Sequence, residues 1–260
     1  MVYDKTNCIY FSATNTTRKI VSAVSQGIRT EKSRNYDLLR DNKLTANIPA
    51  TEIALFGIPV YSGRVPSIIT DSLRNFKGNH TPAIIVCVYG NRDFEDALLE
   101  LRDIVEANGF VVISAGAFIA QHSIFPQVAK GRPDAEDLNA AVLFGKKSMN
   151  ILQNEKKLSA SLQIAIKGNF PYRKIKTIPL TPKKNTHCNS CGLCAKQCPT
   201  QAIDFTNPKK INKQSCISCA HCISICPRKA TYFGGILYRL ASSNFGRKYT
   251  TRQTPYIVYK

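Results

Sequence analysis

Apolar stretches alternate with helical patterns along the first two thirds of the chain. Short runs rich in β-branched and aromatic residues predict five strands, the second weaker than the rest: residues 7–12, 34–39, 53–58, 82–89 and 110–115. Apolar residues at helical spacing follow these runs and predict helices that begin at Thr16 or Thr17, at Pro66, at Asp93, and at Asp134 or Asp137. Strands that alternate with helices favour a parallel, doubly wound α/β sheet.

The last third has a different pattern. Residues 171–186 are rich in proline and basic residues and have no helical period, so they predict an extended linker after an α/β domain at 1–170. Residues 187–232 predict a small second domain with an internal repeat. The tail, residues 233–260, is too rich in aromatic residues for a free end, and we expect it to pack against one of the two domains.

Eight of the ten cysteines lie in two matching runs, and each run ends in Cys-Pro. Three cysteines spaced three residues apart reach three corners of one iron–sulfur cube, and the fourth, before proline, reaches the other cube. We therefore expect two [4Fe-4S] clusters. Cluster I takes Cys188, Cys191, Cys194 and Cys226, and cluster II takes Cys216, Cys219, Cys222 and Cys198. Cys8 and Cys87 lie in apolar runs and are expected to be buried hydrophobes.

Zinc and disulfides are the alternatives for these cysteines. A structural zinc site uses four tetrahedral ligands in two pairs and needs neither the third cysteine nor the proline. A disulfide framework is typical of small secreted chains, whereas this chain has 260 residues and no apolar leader after Met1. Residues 187–232 resemble the bacterial two-cluster ferredoxins. We expect a cytoplasmic protein without a transmembrane helix, since no window of eighteen apolar residues occurs.

A hydroxyl-rich loop separates the first strand from the first helix. Backbone N–H groups and hydroxyls at a helix start can bind a phosphate, although an ordinary capped turn has the same composition. The loop lacks the glycine patterns of dinucleotide and P-loop sites. It resembles the flavodoxin phosphate loop, [ST]-x-T-[GN]-x-T, and the residues implied to bind FMN are Ser12, Thr14, Asn15, Thr16 and Thr17. Asn15 stands where flavodoxins often have glycine, and asparagine tolerates left-handed backbone angles.

The resemblance to flavodoxins implies the strand order 2-1-3-4-5 and a ligand at the carboxyl ends of the strands. Two further loops lie there, and flavodoxins typically stack the flavin ring between aromatic residues of these loops. The implied contacts are Pro59, Val60, Tyr61, Tyr89, Gly90, Asn91 and Arg92, with Phe118 as a cover. The alternatives are strand-end tyrosines that close the core and a plain surface arginine. His80 and His122 are expected to be structural.

Charge is concentrated at one end of the chain. Residues 171–260 carry sixteen Lys and Arg against one acid, Asp204, which is +15 of the net charge of +19. A positive field of this size speeds encounter with an acidic partner, such as an acidic redox protein of the ferredoxin or flavodoxin type. Nucleic acid is a rival partner, and a plain solvated surface is the third interpretation.

As a whole, residues 7–232 resemble flavodoxin–ferredoxin fusions, in which an FMN domain precedes a two-cluster module. The resemblance implies electron transfer between the clusters and FMN, coupling a one-electron protein carrier to a flavin-level acceptor. An oxidoreductase that acts on a small substrate such as a quinone is the second hypothesis. A redox sensor or nucleic-acid-binding module is the third. No catalytic residue is predicted, and the oligomeric state is left open.

Overall fold

The computed structural model describes residues 3–154, 163–175 and 178–260. Its elements in chain order are β1 (Lys5–Tyr10), α1 (Thr16–Ile28), β2 (Lys32–Asp37), β3 (Ala46–Ile48), β4 (Ile53–Pro59), α2 (Ser67–Arg74), β5 (Phe76–Gly78), β6 (Thr81–Tyr89), α3 (Ala97–Ala107), β7 (Phe110–Ile119), α4 (Ala135–Asn154), β8 (Lys183–Lys184), α5 (Leu193–Lys196), α6 (His221–Ser224), β9 (Thr231–Tyr232), α7 (Ile236–Lys248) and β10 (Tyr256–Tyr259).

One large sheet organises the first two thirds of the chain. Its strand order is β10-β7-β6-β4-β1-β2. The five strands from the first two thirds pair in parallel, and their order, 2-1-3-4-5, confirms the predicted flavodoxin-like sheet. β10 adds a sixth strand that runs antiparallel to β7, so the end of the tail belongs to the α/β domain. Two small sheets pair β3 with β5 and β8 with β9.

The sheet is covered on both faces, as the continuous apolar runs predict. Every residue of β6 and β7 is buried. One apolar cluster joins the sheet to α2 and α3 through side chains such as Leu73 and Leu98. A second cluster joins the other face to α1 and α4 through Ile20, Val24 and Phe144. The edge strand β2 is mostly exposed, which explains its weaker sequence pattern.

Helices α1 and α4 approach each other closely at two glycines. A Cβ added at Gly27 would overlap the backbone carbonyl of Val142, and one added at Gly145 would overlap that of Val24. Side chains at these positions would therefore push the helices apart. This close approach packs the C-terminal half of α1 against α4 in one layer behind the sheet.

The cluster segment, residues 187–232, contains only short elements. Helices α5 and α6 have four residues each. Strand β9 has two residues and pairs with β8, which lies just before the segment. The tail leaves this segment through α7, whose aromatic side chains pack on the loop after β7; the ring centroids of Phe125 and Phe245 lie 4.6 Å apart. The carboxylate of Asp134 then pairs with Arg252 at 2.8 Å. The tail is thus attached to the α/β domain at several points.

Two predicted boundaries differ from the structure by four residues. Helix α3 begins at Ala97, and Asp93 instead accepts a hydrogen bond from the backbone N–H of Glu95 in the preceding turn. Strand β7 continues to Ile119, four residues beyond the predicted end, because its pairing with β6 extends to the end of that strand. No helix among the described residues combines the length and apolar character needed to cross a lipid bilayer.

Candidate cofactor sites

The residue that precedes α1, Asn15, does not cap the helix with its own side chain. Asn15 has φ 65° and ψ −2°, a left-handed conformation, and its side chain makes no cap hydrogen bond. The backbone N–H of Arg18 donates to Ser12 Oγ at 3.1 Å. The hydroxyls of Thr14 and Thr16 lie 3.3 Å apart. Asparagine is therefore used here for its backbone freedom, and the start of α1 can accept an anion.

A small cavity, here called the loop cavity, lies at the carboxyl ends of β1, β4 and β6. Its volume is about 60 Å³. It brings together eight of the predicted FMN contacts: Thr14, Thr16, Thr17, Pro59, Val60, Tyr61, Tyr89 and Gly90. Its hydroxyls and its position at the start of α1 are features of a phosphate-binding site.

A larger apolar cavity, here called the ring cavity, adjoins the loop cavity. Its volume is about 510 Å³, within the range of small-molecule sites. The two cavities share Val60, Tyr89, Gly90 and His122. The tail and the linker form the far wall, with Ile178, Pro179, Leu180, Leu237, Ala241, Phe245 and Tyr249. A polar cavity that continues into an apolar one fits a flat ring with an anionic tail.

Two predicted contacts have other roles. Phe118 does not cover the site: it is fully buried inside β7, and its ring centroid lies 5.6 Å from that of Phe144 in α4. The prediction was wrong because β7 continues past this residue. Asn91 holds the tail, since its Nδ2 donates to the carbonyls of Tyr249 and Thr251 at 3.0 and 2.9 Å.

Arg92 lies at the edge of the ring cavity but is paired there. Its guanidinium lies 2.8 Å from the carboxylate of Glu95, which also pairs with Arg173. The charge of Arg92 is therefore largely neutralised within the protein.

Ser12 and Asn15 line a different space. It is an open cleft of about 590 Å³ between the α/β domain and the cluster segment, and Arg18, Arg40 and Cys198 are among its other lining residues.

His122 is a cavity residue that the sequence did not reveal. It lines both the loop cavity and the ring cavity. Its Nδ1 accepts the backbone N–H groups of Ile124 and Phe125, each at 3.2 Å. Burial, aided by the nearby charge of Arg92, lowers the pKa of His122 to about 4. Because the strand was predicted to end at residue 115, the sequence did not indicate that the loop containing His122 lies at these cavities.

The four cysteines predicted for cluster II surround one pocket. Its other walls are mostly apolar, and it is lined by Cys198, Cys216, Cys219, Cys222, Pro182, Pro199, Thr200, Ala202, Ile203, Ile211, Ile217, Ala220 and His221. In the metal-free chain, burial raises the pKa values of Cys219 and Cys222 to about 12. Four thiols around an apolar pocket are the donor set of a 4Fe-4S cluster, so the residues fit that group.

The cysteines predicted for cluster I lie nearer the surface. Cys191 is exposed and Cys188 is half-buried. Lys184 Nζ donates to Cys194 Sγ at 2.8 Å. The backbone N–H of Ala230 donates to Cys226 Sγ at 3.3 Å. Such donors stabilise thiolates, and a thiol set of this kind also fits an iron–sulfur cluster.

The two halves of the cluster segment share features of backbone geometry as well as the cysteine spacing. Ser190 and Ser218 both have positive φ, at 57° and 54°. In each half of the segment, a backbone N–H donates at 3.3 Å to the cysteine before proline, from Ala202 to Cys198 and from Ala230 to Cys226. The internal repeat seen in the sequence is therefore also a repeat of backbone geometry.

Within the described residues, no group of three or more His, Cys, Asp or Glu side chains is placed to hold one metal ion.

The two candidate sites are in contact. His221 lies between two predicted cluster II ligands; its Nδ1 is 2.8 Å from the carbonyl oxygen of Ala13 in the β1–α1 loop, and its Nε2 is 3.3 Å from Gln197 Oε1. Tyr61, which lines the loop cavity, has a pKa raised well above its ordinary value by burial and by the neighbouring Cys219. Cys219 itself packs into the apolar cluster of the α/β domain.

Comparison with known proteins agrees with the division of the chain. Residues 187–230 match the family described as a 4Fe-4S dicluster domain. A search of curated proteins found no match. The chain therefore joins an α/β domain with the strand order of flavodoxins to a 4Fe-4S dicluster segment.

Flavodoxins are among the solved structures that are similar to this chain. The Bacillus cereus flavodoxin 1 structure has 15% identity, covers 56% of this chain and 97% of that chain, and has a TM-score of 0.42. The Fusobacterium nucleatum flavodoxin bound to flavin mononucleotide has 12% identity, with 59% and 99% covered and a TM-score of 0.39. An archaeal flavodoxin has 13% identity, with 58% and 99% covered and a TM-score of 0.39.

Proposed function

We propose that this protein transfers electrons between two [4Fe-4S] clusters and FMN, and so couples a one-electron protein carrier to a flavin-level acceptor. The observation that carries the proposal is the contact between the two regions: His221 is hydrogen-bonded to the carbonyl oxygen of Ala13, and Cys219 packs in the apolar cluster of the α/β domain. A flavin accepts one or two electrons, and each cluster passes one. Together they can therefore link a one-electron carrier to a two-electron acceptor.

The residues around the two cavities divide the binding of FMN between them. Thr14, Thr16, Thr17 and the N–H groups at the start of α1 would hold the phosphate. Tyr61 and Tyr89 would contact the ring, together with Val60 and Gly90. The linker and α7 would exclude water from the apolar side of the ring cavity. The protein thereby fixes position and surroundings, while the cofactor supplies the redox chemistry.

The order of the cofactors follows from burial. Cys219 is buried against the α/β domain, whereas Cys191 of the cluster I set is exposed. Cluster II is therefore the one next to the flavin, and cluster I is the one that exchanges electrons with a partner. The eight thiolate ligands call for a reducing compartment, and the cytoplasm is our proposed location. The domain limits given above, 1–170 and 187–232, are part of this proposal.

The surface around the clusters favours an acidic partner. Among the described residues from Lys183 to Lys248, no Lys or Arg lies within ion-pair distance of a carboxylate. The single acid of this region, Asp204, accepts hydrogen bonds from the backbone N–H groups of Thr206 and Asn207. Unpaired cations speed and orient docking of an acidic redox protein. Binding that is tighter to plain duplex DNA than to an acidic ferredoxin would contradict this part.

The proposal is tested by anaerobic purification, followed by a count of iron, sulfide and flavin. We expect about eight irons and one FMN per chain. Cys194→Ser should remove cluster I absorbance and electron transfer and leave the flavin bound. Cys8→Ala is the matched control, since Cys8 is a buried strand residue, and it should keep all the iron. Zinc in place of iron, or normal electron transfer in Cys194→Ser, would refute the proposal.

A small-substrate oxidoreductase is the second candidate function. The open cleft of about 590 Å³ supports it, because this cleft has room for a substrate beside Cys198 and the β1–α1 loop. The discriminating assay is reduction of a quinone by the reduced protein without any carrier. Saturable turnover that is lost in Arg40→Gln, but not in the exposed control Lys43→Gln, would favour this function over the first.

A further inference from the structure

The ring cavity and the loop cavity meet at His122. The contacts of this residue hold its side chain in one orientation. Its backbone N–H donates to the carbonyl of Val128 at 3.1 Å. Its ring packs against Phe125 and Phe245, with centroid distances of 5.0 and 5.4 Å. A Cβ added at Gly90 would overlap the imidazole, so the ring lies directly on the loop after β6. His122 therefore has little freedom to turn away from the cavities.

The hydrogen bonds of His122 determine where its proton lies. A backbone N–H can only donate, so the two N–H groups that reach Nδ1, from Ile124 and Phe125, require Nδ1 to be an acceptor. A neutral imidazole with an accepting Nδ1 carries its proton on Nε2. Among the described residues no hydrogen bond to Nε2 is found, and that N–H is left for a ligand.

The charge state supports the same conclusion. Burial and the nearby Arg92 lower the pKa of His122 to about 4, which keeps the ring neutral at neutral pH. A neutral donor can bind an acceptor atom of an uncharged heteroaromatic ring without adding a buried charge. Two arginines line the ring cavity, Arg92 and Arg173, and both are paired with Glu95.

We propose that His122 binds the flavin ring through a hydrogen bond from its Nε2–H, an inference that rests on the proposed FMN site. The loop after β7 thereby contributes a ring contact in addition to the loops after β1, β4 and β6. Because β7 continues to Ile119, this loop reaches the ring edge where the linker and α7 close the cavity.

Two substitutions separate this role from a structural one. Asparagine places its amide oxygen near the position of Nδ1, so His122→Asn can accept from the loop but has no donor toward the ring. Glutamine places its amide near the position of Nε2, so His122→Gln keeps the donor and loses the loop acceptor. We expect the dissociation constant of FMN to rise about fivefold to tenfold in His122→Asn, which corresponds to the loss of one hydrogen bond. His122→Gln should stay within about threefold of the unchanged protein.

FMN affinity is measured by quenching of flavin fluorescence, with His80→Asn as the matched control. His80 is exposed and has φ 54°, which asparagine tolerates. Weaker FMN binding by His122→Gln than by His122→Asn would overturn the inference. It would mean that His122 serves to hold its own loop in place. Two variants that bind FMN as tightly as the unchanged protein would overturn it as well.

A second measurement does not depend on binding. Nitrogen-15 spectra of the flavin-free chain should show His122 as the neutral Nε2–H form, and the Nε2 signal should shift when FMN is added. A proton on Nδ1 would overturn the inference even if FMN binds. An unchanged protein that takes up no FMN would instead refute the proposed function, whatever the tautomer of His122.

Discussion

The α/β domain and the cluster segment fill their interiors in different ways. In the α/β domain, strands such as β6 are buried along their whole length, and two apolar clusters cover the two faces of the sheet. In the cluster segment, the helices have four residues, and the buried apolar side chains are mostly cysteines and alanines: Cys194, Ala195, Ala202, Ile203, Cys219, Ala220 and Ala230.

This difference indicates what holds each region together. Side chains alone supply the core of the α/β domain, at about 25 cal/mol for each Å² of apolar surface removed from water. A segment of this size with so few large apolar residues lacks that contribution. We expect the proposed iron–sulfur clusters to supply its core, so that the two regions respond differently to loss of iron and to core substitutions.

Removal of iron should have the largest effect. Metal binding to a site that the unfolded chain lacks is folding free energy, on the order of 10 kcal/mol in small metal-dependent domains. Chelation under oxidising conditions should therefore unfold residues 187–232 and leave the α/β domain folded. Amide hydrogen exchange measured by mass spectrometry distinguishes the regions. Equal protection of the cluster segment before and after chelation would contradict this interpretation.

Loss of a core ring should be the next largest effect, and it should fall on the other region. Phe56 is buried, and its ring centroid lies 5.2 Å from that of Phe110. Phe56→Ala should lower the free energy of unfolding of the α/β domain by about 3–5 kcal/mol. The control is Phe205→Ala in the cluster segment, where the ring is 69% exposed, and a change of less than about 0.5 kcal/mol is expected. Denaturant melts of both variants check this; equal losses would count against it.

Overpacking between α1 and α4 should have a smaller effect. Gly27→Ala puts a methyl group onto the carbonyl of Val142 and should destabilise the α/β domain by about 1–3 kcal/mol. Gly246→Ala in α7 is the matched control, because the added methyl would meet only the flexible side chain of Gln127. That control should be neutral or slightly stabilising. The account of helix packing fails if thermal melts rank the two variants in the opposite order.

A change at the β1–α1 loop should have the smallest effect on folding. Asn15→Ala must place alanine at φ 65°, at a cost of about 1–2 kcal/mol, and should also weaken FMN binding by distorting the start of α1. Asn15→Gly accepts this conformation without strain and should bind FMN normally. Titration with FMN compares the two; similar affinities of the alanine and glycine variants would mean that the left-handed conformation is unimportant.

Local patterns predicted the alternation of strands and helices, and the resemblance to flavodoxins implied the sheet order that the structure has. The sequence also allowed for the left-handed conformation of Asn15. Contacts between distant residues were not predictable. Asn91 binds the carbonyl of Thr251, 160 positions away, and nothing near Asn91 in the sequence indicates that partner. The end of β7 was predicted four residues too early. For this reason the role of Phe118 was predicted wrongly, and the position of His122 at the two cavities was not predicted. A period of two assigns residues to the faces of a strand only when the length of the strand is known.

The central claim is that the clusters and the flavin exchange electrons within one chain. Flash photoreduction of the anaerobic protein, followed at the flavin and cluster absorbances over a range of protein concentrations, tests it most directly. We predict first-order transfer with a rate that does not change with concentration and that is lost in Cys219→Ser. A rate proportional to protein concentration, or flavin reduction with no change in the clusters, would contradict the account.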